Sequence, residues 1–416
     1  MHIGFLTPEY VIPPDRIDGG LANYLKKIAY ALSARGHKVS IIVISDKYKE
    51  WQDGATTIYE IKRVSFGNVA YICRYLTPIM LIIGQILSSR RVAKKVWKVH
   101  RNTPFDILQT SNDHAPGYTL VHNKKIPLIC RISSYKPLWR ASFGKKRSLS
   151  EYLSDWLDIY QVTESDDAFS PCNLTANIIA RYEGFQPKVV YTPVDLPLNS
   201  DFDDTYYQQE LAKKSYLLYF GTLNRMKGVD LLVDVIPQIL NKYPNITFAF
   251  IGRDDGLPNG QKVFSYICTH NQQYKDRLYY HTALPKNQLY PIISAATGVL
   301  MPSRVDNYPN ACLEALSLGV PVVGTYESSL DEIIIDGKTG FLAQNNSPSS
   351  FKCAIEKLLD QTPDERIKMK ENISNYIEDV AKEDRVEKLI DFYTATINEF
   401  SPVKMSPKKK DNSIRQ

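Results

Sequence analysis

Short apolar runs alternate along the chain with stretches of helical period. In the first half, residues 2–6, 38–44, 106–110, 127–132 and 189–195 are compact apolar runs of the kind that form buried strands of a parallel sheet. Between the first two, Leu21, Leu25, Ile28 and Leu32 recur at helical spacing, which predicts an amphipathic helix ended by Gly36. The second half restarts the alternation, with strands expected at 216–220, 246–251, 278–281, 298–301 and 320–324 and helices beginning near Phe351, Asp364 and Glu383. This rhythm predicts an α/β protein built on doubly wound parallel sheets. A chain of 416 residues exceeds the roughly 250 to 300 at which a single core stops growing, so two domains are expected, 1–198 and 199–384. A helix over 385–400 is expected to cross back to the first domain, and 401–416 lacks apolar periodicity and is expected to be disordered.

Charge adds a direction to this outline. The net charge of +6 hides an asymmetry: residues 1–195 carry 26 Lys+Arg against 17 Asp+Glu, a balance of +9, and the remainder 25 against 28, a balance of −3. The basic half is the one expected to meet an anionic surface or acceptor, with solvated lysines as the alternative. Residues 69–87 are strongly apolar, but Arg74, Pro78 and Gln85 interrupt them, so no transmembrane span is read there. The apolar segment 78–87 runs into Arg90, Arg91, Lys94, Lys95, Lys98 and Arg101 with no acid before Asp106. That order suits a peripheral helix on an anionic inner membrane face, or equally a buried helix followed by a solvated one. Cys73, Cys130, Cys172, Cys268, Cys312 and Cys353 include no CxxC pair, which fits reduced core residues. Met1 leads directly into an apolar run, so no signal peptide and a cytoplasmic location are expected.

The chemistry concentrates around 303–323. A strand, a loop, a helix over 310–318 and a second strand follow one another, with Asn307 or Asn310 available as helix cap, Pro309 near the first turn and Gly319 at the C′ position. A helix entered from the carboxyl end of a parallel strand points free N–H groups and partial positive charge into the ligand crevice. Asp306 in the loop and Glu314 in the helix put two carboxylates beside that tip. A ligand with both phosphates and hydroxyls, such as a nucleotide sugar, suits the combination. Some eighty residues earlier, the loop Gly221-Thr222-Leu223-Asn224-Arg225-Met226-Lys227-Gly228 offers two cations where a diphosphate needs fixed charge and backbone donors. Gly252, Arg253 and Asp254 follow the strand between these two units. In the first half, Gly19-Gly20 opens a helix and either admits close approach of a phosphate or sugar or is simply structural. Asn112, Asp113 and His114, and Ser133, Ser134 and Tyr135, end two strands at the ligand edge. Taken singly, each has a plainer reading: Arg225 and Lys227 as a solvated pair, the acids as caps, His114 as structural.

Together these residues resemble the retaining family-4 glycosyltransferases of the GT-B fold, two Rossmann-like domains facing a central cleft. The resemblance rests on Gly19-Gly20, the 221–228 loop, Gly252, Pro302-Ser303, the two acids with seven residues between them, Glu314-Ala315, 319–323, Glu332 and 336–341. It implies an N-terminal acceptor domain and a C-terminal donor domain. The implied reaction moves a hexose, UDP-glucose being the favoured donor, to a saccharide or lipid-linked acceptor in polysaccharide biosynthesis, with retained anomeric configuration and no metal or other cofactor. No nucleic-acid partner is implied. Arg225 and Lys227 would hold the donor diphosphate and stabilise charge on the departing phosphate. Asp306, where the family usually carries Glu, would accept hydrogen bonds from sugar hydroxyls, and Glu314 would hold the ribose. Backbone N–H groups of Asn307, Tyr308, Asn310 and Ala311, around Pro309, would bind phosphate and sugar. Gly19, Gly20, Gly221, Gly252 and Arg253 complete the donor set, with Leu284 near the base. His114 and Ser133 are the acceptor-side candidates.

The chain departs from the family at three positions. Thr222 replaces a frequent arginine, Ser133 stands about where many members have a cleft histidine, and Asp306 is one methylene short, so it reaches the sugar by closer approach or through water. Rival readings are a sugar-nucleotide epimerase, which needs no acceptor, a phosphorylase, which needs inorganic phosphate, and a non-catalytic nucleotide-sugar-binding protein. A dinucleotide oxidoreductase is disfavoured, since no GxGxxG follows the first strand.

Overall fold

The structure, a computed structural model, describes residues 1–11, 19–66, 77–123, 125–144, 147–193 and 202–401. Contacts divide the chain into two compact units: described residues within Met1–Pro137, Lys146–Pro193 and Asp384–Gln416 form the first, and those within Leu138–Lys145 and Val194–Glu383 the second. Two expectations lie largely outside the described residues: the loop before Gly19 and the tail beyond Ser401.

The strands of the first unit are β1 (His2–Thr7), β2 (Lys38–Ser45), β3 (Lys49–Asp53), β4 (Thr56–Lys62), β5 (Ile107–Ser111), β6 (Leu128–Arg131), β7 (Asp167–Ser170) and β8 (Lys188–Val189). They form one sheet in the order β3-β4-β2-β1-β5-β6-β7-β8. All pairings are parallel except the β3–β4 hairpin. That hairpin has no counterpart in the apolar pattern, because Lys49, Glu50 and Gln52 leave β3 largely exposed. The run at 189–195 shrinks to the two-residue edge strand β8, with 194 and 195 outside the described residues.

Successive strand residues face opposite sides of the sheet, and the two sides have separate cores. Ile3, Phe5, Ile41 and Val43 pack with helix α1 (Gly20–Ala34) through Leu25, Ile28 and Leu32, and with the C-terminal helix Arg385–Glu399 through Val386, Leu389, Phe392 and Tyr393. Leu6, Ile42, Ile44 and Leu108 pack on the other side against Val92, Val96 and Val99 of helix α2 (Thr77–Asn102). The C-terminal helix is thus part of the first unit's core. Asp384 caps it, accepting from the Val386 and Glu387 N–H groups, and pairs with Arg35 at 2.9 Å.

Helix α2 is one continuous helix carrying both the apolar segment and the cations. Its cations are not equivalent. Lys95 pairs with Glu50 at 3.2 Å and sits over the Tyr59 ring, and Arg91 donates to the Lys62 carbonyl at 2.8 Å. Arg90, Lys94, Lys98 and Arg101 form the exposed stripe. Among the described residues no helix is long and apolar enough to cross a membrane. Of the described cysteines, Cys130, Cys172 and Cys312 are buried as core residues, Cys268 is partly buried and Cys353 is exposed. Helix α3 (Leu149–Glu164) starts in a capping box between Ser148 and Glu151.

The second unit has a six-stranded, all-parallel sheet built from β9 (Ser215–Phe220), β11 (Ile246–Ile251), β13 (Leu278–His281), β14 (Gly298–Leu300), β15 (Val322–Thr325) and β16 (Gly340–Ala343), in the order β13-β11-β9-β14-β15-β16. A two-stranded parallel ladder of β10 (Leu223–Asn224) and β12 (Asp254–Gly256) flanks it. Strand order reverses between β9 and β14. In open parallel sheets such a reversal opens a crevice at the carboxyl ends of the strands, because the two following connections leave on opposite faces.

Candidate functional site

The loops that leave β9 and β14 meet at this reversal. Gly228, in the first of them, has φ +68°, and a Cβ there would lie 1.8 Å from the Pro302 carbonyl oxygen. Only glycine permits both the left-handed backbone and this approach. A Cβ on Gly252 would likewise lie 1.8 Å from the Gly221 oxygen, so the loop after β11 is held against the same region. Gly252 is therefore a packing glycine, whereas Gly221 is required for its left-handed backbone at φ +126°.

Lys227 and Asp306 are brought together by these loops: Nζ lies 2.5 Å from Asp306 Oδ2. Ser303 Oγ donates to the same oxygen at 3.2 Å, and Asn307 N–H donates to Asp306 Oδ1 at 3.0 Å. Side-chain exposure is 26% for Lys227 and 12% for Asp306. The pair is set in the loops and partly shielded. Its charge is felt nearby, since burial first and the Asp306 carboxylate second push the Cys312 thiol up.

Helix α4 (Asn310–Ser317) begins just beyond. Its cap residue is Pro309, with no side-chain cap bond, so neither Asn307 nor Asn310 serves as the expected cap. Asn310 is instead the first helical residue. Gly319 ends the helix with φ +77°, as its position predicts. The backbone donors differ in availability. Asn307 N–H is held by Asp306, and Tyr308, at φ +58° and buried, gives its N–H to Ser329 Oγ at 2.9 Å. Asn310 and Ala311 supply first-turn N–H groups, which a helix leaves without intrahelical acceptors. Glu314, deeper in the helix, is paired with Lys286 Nζ at 2.7 Å. Lys286 had no place in the sequence reading; its position two residues beyond Leu284, at the start of the helix that follows the loop expected near the base, is the signal that could have found it.

The remaining donor candidates are more loosely placed. Arg225 Nε donates to the Ser142 carbonyl at 3.2 Å, from the 138–145 excursion that belongs to this unit. Arg253 is exposed and forks onto Asp255 at 2.6 and 3.1 Å. It lines an open cleft of about 470 Å³ with Lys262, Phe264, Tyr280 and Thr282, in which Phe264 and Tyr280 stack at 4.9 Å. Leu284 is half-buried in the loop after β13.

In the first unit the corresponding reversal lies between β1 and β5. Gly19 and Gly20 do open α1, but Glu9 Oε1 accepts the Ala22 N–H at 3.1 Å and lies 3.5 Å from where a Cβ on Gly19 would stand. The chain's own carboxylate thus occupies the helix tip where a phosphate was one expected visitor. Glu9 was missed, although an acid just beyond a strand and before Gly-Gly is a readable signal. A Cβ on Gly20 would meet nothing within 4 Å, so space, not strain, is what this glycine provides. His114, exposed at φ +57°, has Nδ1 3.1 Å from Gln85 Nε2. Ser133 is held by Asn112 Oδ1, which accepts its N–H at 2.7 Å, and its hydroxyl accepts from Arg131 at 2.9 Å. Arg131 is buried and lies over the Tyr24 ring at 4.0 Å. Beside this edge Lys136 bridges Asp113 at 2.7 Å and Asp158 at 2.6 Å. Burial pushes the Asp158 carboxyl up to about 7, against the pull of Lys136.

Comparison with known proteins identifies the family and the fold. Residues 18–197 match the model of Glycosyltransferase Family 4, and residues 203–378 that of Glycosyl transferases group 1. An uncharacterised glycosyltransferase of Methanocaldococcus jannaschii is 21% identical over 370 residues, 86% of this chain and 89% of that one. Other curated relatives, D-inositol 3-phosphate glycosyltransferases, align over only 33% to 45% of their own length. Among solved structures, sucrose-phosphate synthase from Thermosynechococcus elongatus superposes with a TM-score of 0.75 at 16% identity, covering 96% of this chain and 99% of that one. HepE of Anabaena, solved with UDP and glucose, superposes with a TM-score of 0.66 at 18% identity, covering 96% and 100%. Both units having matched and the fold being shared along nearly the whole chain, the protein belongs to the family-4 glycosyltransferases of the GT-B fold.

Proposed function

We propose that this glycosyltransferase moves a hexose, UDP-glucose being the favoured donor, to a saccharide or lipid-linked acceptor in polysaccharide biosynthesis, with the anomeric configuration retained and without a metal ion. The Lys227–Asp306 pair carries the reading. It sets a cation and an acid side by side at the sheet's reversal, next to the free first-turn N–H groups of α4. Lys227 and Arg225 meet the diphosphate and stabilise the charge that grows on it as the glycosidic bond breaks, a task for which a preorganised cation is well suited. With positive charge supplied by side chains, this reading calls for no divalent ion. Asp306 accepts from sugar hydroxyls, Glu314 from the ribose, and Lys286 steadies Glu314. The choice of UDP and glucose draws support from HepE, of the same fold, solved with both. Retention follows the family, no carboxylate being set apart as a nucleophile.

On the acceptor side, the exposed stripe Arg90, Lys94, Lys98 and Arg101 follows the exposed apolar side chains Ile79 and Ile83 along one helix, an order that favours docking on an anionic lipid surface. A panel of nucleotide sugars, scored by thermal shift and then by turnover with and without saccharide acceptors, tests the donor assignment. UDP-glucose is expected to give the largest shift and acceptor-dependent turnover. Lys227→Ala with both intact would overturn the assignment.

A further inference from the structure

Arg225 and Lys227 lie on the loop that leaves β9 and Asp306 on the loop that leaves β14, and one further side chain links the two. Arg304, two residues before Asp306, is bound at every polar atom described for it. Its Nη1 and Nη2 fork onto Asp230 Oδ1 and Oδ2 at 2.6 and 3.1 Å, and Nη1 also donates to the Arg225 carbonyl. Its Nε donates to Asn346 Oδ1 at 2.8 Å, its N–H to the Met226 carbonyl at 2.9 Å, and its carbonyl accepts from Asn345 Nδ2 at 2.9 Å. The side chain is 13% exposed and that of Asp230 16%.

We infer that Arg304 is a positioning residue for sugar transfer, one that sets the distance between the Arg225–Lys227 cations and Asp306; this rests on the donor reading above. Two features point this way. The Arg304 guanidinium binds the Arg225 carbonyl and its main-chain N–H binds the Met226 carbonyl, so the loop cannot shift without breaking bonds at two successive residues. Its charge is already met by Asp230, so it adds no free cation to the site, and its part is geometric. A planar fork making bonds in three directions cannot be reproduced by a lysine, which offers a single point charge.

Arg304→Lys keeps the charge and loses the fork. In steady-state assays with UDP-glucose it is expected to lower kcat about tenfold while donor KM changes less than about threefold, because misplaced cations weaken the transition state more than the ground state. Melting temperature and circular dichroism should stay close to wild type. The decisive comparison is a double-mutant cycle with Lys227→Ala, whose residual rate is read at high enzyme concentration. If Arg304 acts through the cation loop, the cost of Arg304→Lys falls well below tenfold in the Lys227→Ala background, the remainder acting through Arg225. The same tenfold cost in both backgrounds, or a fall in kcat that tracks loss of folded protein, would overturn the inference. Lys227→Ala with wild-type activity would instead remove the donor reading itself.

Discussion

Lys227 Nζ lies 2.5 Å from Asp306 Oδ2, although 79 residues separate the two in the chain. Their loops are locked together below the pair, where Gly228 abuts the Pro302 carbonyl. That backbone contact brings the two loops together, and the Arg304 fork spans them beside it. Replacing Lys227 by Met, which keeps length and loses charge, is expected to cost about 10²- to 10³-fold in kcat, the scale of removing one preorganised electrostatic group. Initial rates and melting curves of the two proteins check this. Unchanged rates would contradict it.

The glycine at the lock should be intolerant. Gly228→Ala places a methyl 1.8 Å from a carbonyl oxygen at a left-handed φ, with an expected loss of about 1 to 3 kcal/mol. Gly20→Ala, on an open helical first turn, should leave stability unchanged or slightly higher. Denaturant titration of both variants measures the contrast.

Asp158 gives a pH dependence. Burial raises its carboxyl from 3.8 to about 7, so across that window the folded chain holds a proton that the unfolded chain has lost. Stability contributed by this group falls as pH rises through the window. Asp158→Asn abolishes the titration, and its melting temperature should decline less than that of wild type between about pH 4 and pH 7. Parallel curves would show that Asp158 does not titrate there.

The cationic stripe of α2 predicts a lipid effect. Arg90→Glu, Lys94→Glu and Lys98→Glu together should release the protein from anionic vesicles, whereas Lys95→Glu, at a residue already paired with Glu50, should act through stability instead. Co-sedimentation separates the two cases, and equal binding by wild type and the triple variant would exclude the stripe as the contact.

Much of this arrangement was legible because parallel sheets are buried on both faces, so their strands read as unbroken apolar runs. β9, β11 and β14 fall where those runs lie, and Gly319 ends its helix as glycine should. β3 was not legible, since an exposed edge strand needs no apolar pattern. Nor was the capture of Tyr308 N–H by Ser329 or the occupation of the α1 tip by Glu9, because each depends on which long-range partner arrives and periodicity carries no record of that. The 138–145 excursion is hidden for the same reason: its contacts, such as that of Ser142 with Arg225, are tertiary.

The account stands or falls on where the donor diphosphate sits. A crystal soaked with UDP-glucose is expected to place diphosphate oxygens within hydrogen-bond reach of Lys227 and the first-turn N–H groups of α4, with a sugar hydroxyl on Asp306. Density for the nucleotide at any other part of the molecule, with the Lys227–Asp306 pair undisturbed, would contradict it.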